Sequence, residues 1–455
     1  MTPHMTQHTL TDWNPEDARF WASTGRRIAR RNLIFSIFAE HLGFSVWTLW
    51  SVVVVALPAT LFPYTVDQKF WLVALPNLVG ALMRLPYTFA VTRIGGRTWT
   101  AISALLLLIP VSGLIFAVTA RPPYWVVLAC AATAGLGGGN FASSMTNISF
   151  FYPEREKGTA LGFNAAGGNI GISTMQLVVP LVLSAGLVYG GLMWMPLVVA
   201  AAICAYLFMN TLEVAKSPFK SQFATLKRPH TWVMSFLYIG TFGSFLGYSA
   251  AFPLVLKLQF PQAPVWHLGP SAAVTLAFTG PLVGSLARPF GGWLSDKVGG
   301  AKVTAICFIL MGLGSYGVLT SAAHKQLGLF LASFWLLFTA SGAGNGSTYR
   351  MIPSIFREQN LFRVRGKGDA ARAAALKTAS IESGATVGFI GAIGAVGGYL
   401  IPTGFGKSIA MTGGPSLALA IYLAFYASCL GLTWWFYLRR SPQGEGASSL
   451  AEARV

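Results

Sequence analysis

Twelve long apolar runs divide this sequence, and they constrain its fold more than any other feature. Each has about 20–30 residues, enough for an α-helix to cross a hydrocarbon layer of roughly 30 Å. Of the 455 residues, 54% are hydrophobic and only 10% are charged, against about 25% charged in a typical soluble domain. The pattern predicts an all-α membrane protein and excludes soluble multidomain and disordered proteins. The predicted spans are residues 33–62, 70–92, 99–120, 124–151, 158–186, 188–211, 230–258, 270–294, 301–323, 327–356, 379–403 and 413–438.

Polar segments group these runs into two sets of six. The sequence predicts a cytoplasmic N-terminal segment at 1–32 and two six-helix bundles at 33–211 and 230–438. A polar connector at 212–229 joins the bundles, and residues 439–455 form a cytoplasmic tail.

Lysine and arginine are concentrated in the loops of one side. The loops on that side contain residues such as Arg93, Arg155 and Lys302, whereas the opposite loops hold few basic residues. Positive charge marks the cytoplasmic side of a membrane protein. We therefore expect both termini in the cytoplasm and a location in the inner, or plasma, membrane.

The remaining composition excludes several other classes of protein. A net charge of +18 raises the question of nucleic acid, but the charges form short clusters between apolar runs and not one basic face. The four cysteines lie inside apolar runs without close pairing, so neither a disulfide framework nor a metal site is expected. We find no nucleotide-binding motif and no nucleophile–base set. The chain is therefore expected to be no enzyme and to bind no cofactor.

An internal repeat relates the two sets of spans. Shifting the sequence by 204 positions places Arg84 on Arg288, and it places the pair 95–96 of a glycine turn on the pair 299–300. Six spans separate the copies, so both halves enter the membrane in the same sense. Such repeats are related by a pseudo-twofold axis along the membrane normal, and they bind substrate between the halves near the midplane.

Arg84 and Arg288 are the most informative members of this repeat. An arginine at mid-bilayer costs roughly 2.5–3.5 kcal/mol on insertion scales and usually faces a cavity. A guanidinium is permanently charged and presents a flat fork of donors that suits planar oxyanions. The pair therefore predicts a transporter of a small anion. The alternative is that each arginine neutralises an internal carboxylate.

Two spans are rich in glycine and correspond to each other in the repeat at a shift of 226 positions. Gly168 and Gly171 belong to the first, and Gly394 and Gly397 belong to the second. Small residues at such spacing let helices approach closely, and we assign these four to packing and conformational change. Asn164 and Asn169 lie among the glycines of the first span. A buried amide requires a partner, so both are candidate ligands of the anion.

Four ionisable residues inside or near the spans are candidates for proton coupling. Glu40 and His41 are adjacent in the first span, and the other two are Arg350 and Glu382. Burial raises the pKa of a carboxyl group, and histidine titrates near neutrality. Internal ion pairing, for example of Arg350 with Glu382, is the alternative.

Several motifs resemble those of known transporters. Residues 292–302 (GWLSDKVGGAK) resemble the signature loop of the major facilitator superfamily, which includes Asp296 and Lys297. Residues 160–171 (ALGFNAAGGNIG) and 388–402 (GFIGAIGAVGGYLIP) resemble the two nitrate-signature helices of the NarK nitrate/nitrite porters. Residues 11–17 and 140–150 resemble the same family, so the resemblance covers nearly the whole chain.

The resemblance implies a function and a set of site residues. It implies a major facilitator fold of twelve helices in two bundles, with Arg84 and Arg288 clamping nitrate. It also implies that aromatic side chains line the site, with Asn164 and Asn169 nearby; these aromatic residues are Phe44, Phe141, Tyr238 and Phe242. Asp296 and Lys297 would belong to the machinery of conformational change. The expected partners are nitrate, with nitrite as a further candidate, protons and the lipid bilayer, and the expected state is a monomer.

The charged residues at Glu40, His41, Arg350 and Glu382 resemble those of the proton-linked nitrate symporters within the family. Importing an anion against an inside-negative potential costs roughly 2.3 kcal/mol per 100 mV, and a co-transported proton cancels that charge. We therefore predict nitrate/proton symport by alternating access. Nitrate/nitrite exchange is the second hypothesis, and a transporter-like nitrate sensor is the third.

Overall fold

The computed structural model describes residues 5, 6, 8–213, 224–261, 272–439, 450 and 455. Long α-helices make up most of this part of the chain. We label the long helices α1–α12 in chain order: Ala18–Ala56, Val66–Ile94, Gly96–Ala120, Tyr124–Phe151, Glu154–Leu183, Tyr189–Phe208, Pro229–Gln259, Thr279–Val298, Gly300–Ala323, Leu327–Arg363, Asp369–Ala395 continued by Gly397–Thr412, and Ser416–Leu438.

Eleven candidate membrane spans occur within the described residues. The predicted span 270–294 corresponds to α8, which has 20 residues and carries Arg288, Asp296 and Lys297. Of the twelve long helices, α8 is the one that is not among these eleven candidate spans. Each of the twelve predicted spans thus overlaps one of the helices α1–α12.

The basic glycine turns of the repeat have the same backbone conformation in both copies. Gly95 ends α2 with φ 92°, and Gly299 ends α8 with φ 98°. Residues with a Cβ rarely adopt such a φ value, whereas glycine does so readily. The repeat found in the sequence therefore recurs as a repeated local structure.

Helix α1 begins earlier than its apolar run. It starts at Ala18, where the side chain of Asp17 accepts hydrogen bonds from two backbone N–H groups. Trp21 donates from Nε1 to Glu156 Oε1 at 2.9 Å, and it packs in a hydrophobic cluster with Phe151. The second half of the segment predicted as a polar N-terminus is thus helical and packs on the ends of α4 and α5.

Three two-residue strands complete the N-terminal region. β1 (Met5–Thr6) pairs antiparallel with β2 (Thr9–Leu10), which pairs parallel with β3 (Thr211–Leu212). The connector is described only at residues 212, 213 and 224–229, and the tail only at 439, 450 and 455. The rest of both predicted segments lies outside the described residues.

The chain forms two compact units. The first contains Met1–Ser217, Ser249–Leu282 and Tyr399–Gly406, and the second contains the remainder. Parts of α7, α8 and α11 thus group with the first unit, although they follow the connector in sequence. The predicted bundle boundaries at 33–211 and 230–438 stay a prediction.

The four glycines assigned to packing lie at close contacts within their own units. In the first unit, a Cβ built on Gly171 would lie 2.2 Å from the carbonyl oxygen of His41, and one on Gly168 would lie 2.4 Å from Glu40 Oε1. In the second, a Cβ on Gly397 would lie 2.6 Å from Gly243 Cα. Gly394 is packed against the Tyr238 ring in the same way. Their role in conformational change stays a prediction.

Two adjacent glycines of α8 give a matched test of this packing. A Cβ on Gly291 would lie 2.0 Å from the Ala343 carbonyl oxygen of α10, whereas the nearest atom to a Cβ on Gly292 is 3.9 Å away. We expect Gly291→Ala to destabilise the protein by about 1–3 kcal/mol, because backbone atoms must move apart. Gly292→Ala should be neutral or stabilising, since alanine is the better helix former. Thermal unfolding of the two purified variants measures these changes in stability. Equal melting temperatures would contradict the close contact between Gly291 and α10.

Candidate functional site

In the first unit, α2 places Arg84 at the centre of an aromatic group. The side chain is fully buried, with 0% exposure. Its Cζ atom lies 4.6 Å from the centroid of the Phe141 ring on α4 and 5.5 Å from the Trp47 ring on α1. A cation over a ring face gains about 0.5–2 kcal/mol, with the larger values where water is excluded. These contacts partly offset the cost of burying the guanidinium.

Phe44 belongs to the same group. Its ring lies edge-to-face with Phe141 at 6.0 Å and with Trp47 at 5.4 Å. Trp47 is fixed in turn by a hydrogen bond of 2.8 Å from Nε1 to the Pro76 carbonyl oxygen. The structure thus brings together three of the predicted site residues, Arg84, Phe44 and Phe141, on three different helices.

In the second unit, Arg288 occupies a related environment on α8. It is 4% exposed, and its Cζ atom lies 5.8 Å from the centroid of the Tyr349 ring on α10. Tyr349 lies 6.5 Å from Tyr238, which stacks on Phe242 at 5.3 Å with an interplanar angle of 19°. The predicted residues Arg288, Tyr238 and Phe242 are therefore linked through Tyr349.

Each unit thus has a buried guanidinium beside aromatic rings. The guanidinium supplies N–H donors in one plane, and the rings limit the space above and below a bound group. This combination suits a small flat anion that accepts hydrogen bonds at its edge.

Glu40 is fully buried on α1 and forms a hydrogen-bonded network with α4 and α5. Its Oε2 atom accepts from Ser144 Oγ at 2.5 Å and from Asn164 Nδ2 at 2.7 Å. Asn164 Nδ2 also lies 2.5 Å from Ser144 Oγ, which is 2.8 Å from Ser36 Oγ. Two donors thus converge on one carboxylate oxygen, and they connect α1 to α4 and α5.

His41 and Asn169 face other groups of the first unit. His41 Nδ1 lies 3.0 Å from the Gly167 carbonyl oxygen, a contact between α1 and α5. Asn169 is buried, and neither polar atom of its amide has a hydrogen-bond partner among the described residues. It therefore retains the donors that a ligand role requires.

Glu382 and Arg350 each form an ion pair, but not with each other. Glu382 Oε1 accepts from Arg228 Nη2 at 2.5 Å, and Glu382 Oε2 accepts from Asn360 Nδ2 at 2.8 Å. Arg350 pairs with Asp296, and both side chains are about half exposed. Ion pairing was the alternative to proton coupling for these residues, and the example given was a pair of Arg350 with Glu382. The structure instead pairs each of them with another residue. Lys297, next to Asp296, has its Nζ atom 4.0 Å from the Trp293 ring.

Several residues of these clusters were not predicted as site residues, among them Trp47, Ser144 and Tyr349. Trp47 gives no sequence signal of a site role, because aromatic residues inside spans are usually packing or interfacial anchors. The repeat offers one signal for the others, because Ser144 and Tyr349 correspond at the shift of 205 that also relates Gly139 to Gly344. Nothing in the sequence alone shows which ring an arginine contacts.

Comparisons with known proteins agree with this fold. The Major Facilitator Superfamily matches residues 41–366. The chain is 42% identical to the "Nitrate/nitrite transporter NarU" of Salmonella typhimurium, over 96% of this chain and 98% of that protein. The chain belongs to the NarK nitrate/nitrite porter family of this superfamily. This family consists of transporters, so the protein is not an enzyme, as the sequence predicted.

A second relative and a solved structure add to this comparison. The "Probable nitrate/nitrite antiporter NarK2" of Thermus thermophilus is 34% identical over 95% of this chain and 97% of its own. A solved D-xylose-proton symporter has a TM-score of 0.65 at 15% identity, covering 90% of this chain and 97% of that one. At that identity the structural likeness shows the fold alone: the major facilitator fold, with an all-α chain that crosses the membrane many times.

The two ion pairs of the second unit should differ in their effect on stability. The side chains of Arg228 and Glu382 are 15% and 17% exposed, whereas those of Arg350 and Asp296 are 50% and 54% exposed. We expect Arg228→Met to lower the free energy of unfolding by roughly 1–3 kcal/mol, because it leaves a largely buried carboxylate without its cation. Arg350→Met should cost about 0–1 kcal/mol, as exposed pairs usually do. The melting temperatures of the two variants in detergent check this order of stability. A larger fall in melting temperature for Arg350→Met than for Arg228→Met would contradict it.

Proposed function

We propose that this protein transports nitrate across the inner membrane, with Arg84 and Arg288 binding the anion. The observation that carries the proposal is the fully buried guanidinium of Arg84 beside the Phe141 and Trp47 rings. The second buried arginine, at the equivalent place in the repeat, supports it. So do the names of the relatives, a nitrate/nitrite transporter and a probable nitrate/nitrite antiporter.

The chemistry of the clusters favours a planar ion. Guanidinium forks bind an oxyanion at its edge, and ring faces accept a flat molecule with little displacement. A tetrahedral anion such as sulfate needs more space between rings, and chloride lacks the oxygens that a fork recognises. In this proposal Phe44, Phe141, Tyr238 and Phe242 line the path of the anion. The protein works as a monomer with both termini in the cytoplasm.

Replacing either arginine by lysine tests the anion site. We expect Arg84→Lys and Arg288→Lys to raise the KM for nitrate by about 10-fold to 100-fold, since a lysine keeps the charge but loses the planar fork. Arg121→Lys, at the C-terminal end of α3, is the control and should transport normally. Uptake of labelled nitrate into proteoliposomes measures this, and wild-type kinetics in both site variants would refute the proposal.

For the coupling, we propose that Glu40 carries a proton together with each nitrate. Glu382 and Arg350 are engaged in ion pairs, so they are weaker candidates. In the described geometry, Ser144 and Asn164 both donate to Oε2 of Glu40. A proton on that oxygen needs an acceptor, so one of the two donors must turn away. The Oδ1 atom of Asn164 has no hydrogen-bond partner among the described residues, and it is suited to accept this proton after the amide rotates.

Rotation of Asn164 offers a direct link between proton and anion. It would withdraw Nδ2 from Glu40 and make this donor available to nitrate, so protonation would favour anion binding. His41 lies next to Glu40 and contacts the backbone of α5 at Gly167; we propose that it assists the proton transfer.

Nitrate/nitrite exchange is the second candidate, and one observation favours it. The relative from Thermus thermophilus at 34% identity is named a probable nitrate/nitrite antiporter. Export of nitrite balances the charge of imported nitrate as a proton does, and it requires no titratable group. In an exchanger, Glu40 would only hold α1, α4 and α5 together.

Flux in liposomes separates the two couplings. We expect wild-type protein to take up nitrate in response to an inward pH gradient without internal nitrite. Glu40→Gln should lose this response because the amide cannot titrate, while Asp67→Asn, at the start of α2, keeps it. A strict requirement for internal nitrite in the wild type would favour exchange. Absence of any counterflow of labelled nitrate would instead identify a sensor, which binds the ion without moving it.

A further inference from the structure

Two buried asparagines at equivalent places in the repeat lack hydrogen-bond partners. Asn140 on α4 is 3% exposed, and Asn345 on α10 is 0% exposed. In both side chains neither Nδ2 nor Oδ1 has a partner among the described residues. The two positions correspond at a shift of 205.

A buried amide destabilises the folded state unless its donor and acceptor atoms have hydrogen-bond partners. Leaving a buried donor or acceptor without a partner costs about 1–3 kcal/mol, and most buried polar side chains in folded proteins are paired. Two other buried asparagines are paired through their Nδ2 atoms. Asn77 donates to the Val73 carbonyl oxygen at 2.9 Å, and Asn360 donates to Phe356 O and to Glu382.

In the first unit, Asn140 lies beside the Arg84 cluster. It directly precedes Phe141, whose ring is 4.6 Å from the Arg84 guanidinium carbon. Its amide packs on α1 at Gly43, where an added Cβ would lie 2.8 Å from Asn140 Nδ2. Gly43 in turn precedes Phe44. The amide therefore lies at the contact between the two helices that carry the two phenylalanines.

In the second unit, Asn345 lies beside the Arg288 cluster. The next residue, Gly346, packs on the backbone of Arg288, since an added Cβ would lie 2.1 Å from the Arg288 carbonyl oxygen. One helical turn after Asn345 is Tyr349, whose ring centroid lies 5.8 Å from the Arg288 guanidinium carbon. The preceding Gly344 packs on Thr241, the neighbour of Phe242.

We propose that Asn140 and Asn345 donate their amide N–H groups to the transported oxyanion, each beside the arginine of its own unit. This inference rests on the proposed anion transport and adds two specificity-determining residues to it. A planar oxyanion has more acceptor sites than two guanidinium forks occupy. A neutral amide adds a directed donor for them without a further fixed charge in the membrane.

Two substitutions at each position separate this role from a structural one. Asn→Leu removes both polar atoms at similar size, and Asn→Asp keeps the shape and the acceptor but removes the donor. We expect Asn140→Leu, Asn345→Leu, Asn140→Asp and Asn345→Asp each to raise the Kd for nitrate by about 10-fold to 100-fold, with the Asp variants weaker than the Leu variants because of charge repulsion. Titration calorimetry on purified protein with sodium nitrate, against sodium gluconate, measures the affinity. Asn77→Leu is the matched control and should bind as the wild type does.

Melting temperatures show whether a variant is folded and whether nitrate stabilises it. Without nitrate, the Leu variants should melt at or above the wild-type temperature, because an unsatisfied amide has been replaced by an apolar group. Addition of nitrate should stabilise the wild type and Asn77→Leu, and it should stabilise the site variants much less. Wild-type affinity in all four site variants would overturn the inference while leaving the transport proposal intact. A wild type that binds no nitrate would overturn the transport proposal itself.

Discussion

Burial of a fixed positive charge is the constraint on which this structure depends. Arginine does not lose its proton in a protein, so Arg84 and Arg288 remain charged inside helices that are otherwise apolar. The fold accommodates Arg84 with aromatic faces, and these faces require support of their own. The Trp47 ring is held by the Pro76 carbonyl oxygen, and it fits only because Gly80 has no side chain, since a Cβ there would lie 2.4 Å from the ring. Packing around this one charge therefore restricts residue size at Gly80, on the same helix as Arg84.

The sequence predicted the parts of the fold that depend on local pattern. Helices α1–α12 follow from apolar length, and the glycine turns at Gly95 and Gly299 follow from the repeat and from backbone conformation. The start of α1 was predicted too late because hydropathy detects only the apolar part of a helix. Residues 18–32 include several arginines, yet Trp21, Ile28 and Ala29 on the same stretch are buried against α4 and α5.

Partners across the chain could not be predicted in the same way. The sequence shows that Glu382 and Arg350 are charged, but the pairing of Glu382 with Arg228 joins residues that lie 154 positions apart. Likewise, the Tyr349 ring lies 5.8 Å from the Arg288 guanidinium carbon, and the resemblance to the family did not include Tyr349. Such choices depend on the crossing of helices α7, α8, α10 and α11 and not on the composition of any one of them. A motif therefore names candidate residues, whereas the contacts between them are set by the packing of whole helices.

The proposed site combines two charged guanidinium groups with neutral amides, and this combination suits a carrier. A carrier has to release its ion on the far side, so each added fixed charge that deepens the binding well also slows release. In the proposed site, neutral donors such as Asn140, Asn164 and Asn345 would contribute directed hydrogen bonds, whose strength falls steeply when distance or angle changes. A small movement of a helix is enough to weaken them, whereas the attraction of a guanidinium persists over several ångströms in a medium of low dielectric constant. On this view the arginines attract the anion and the amides recognise its shape, and the conformational change acts mainly on the amides.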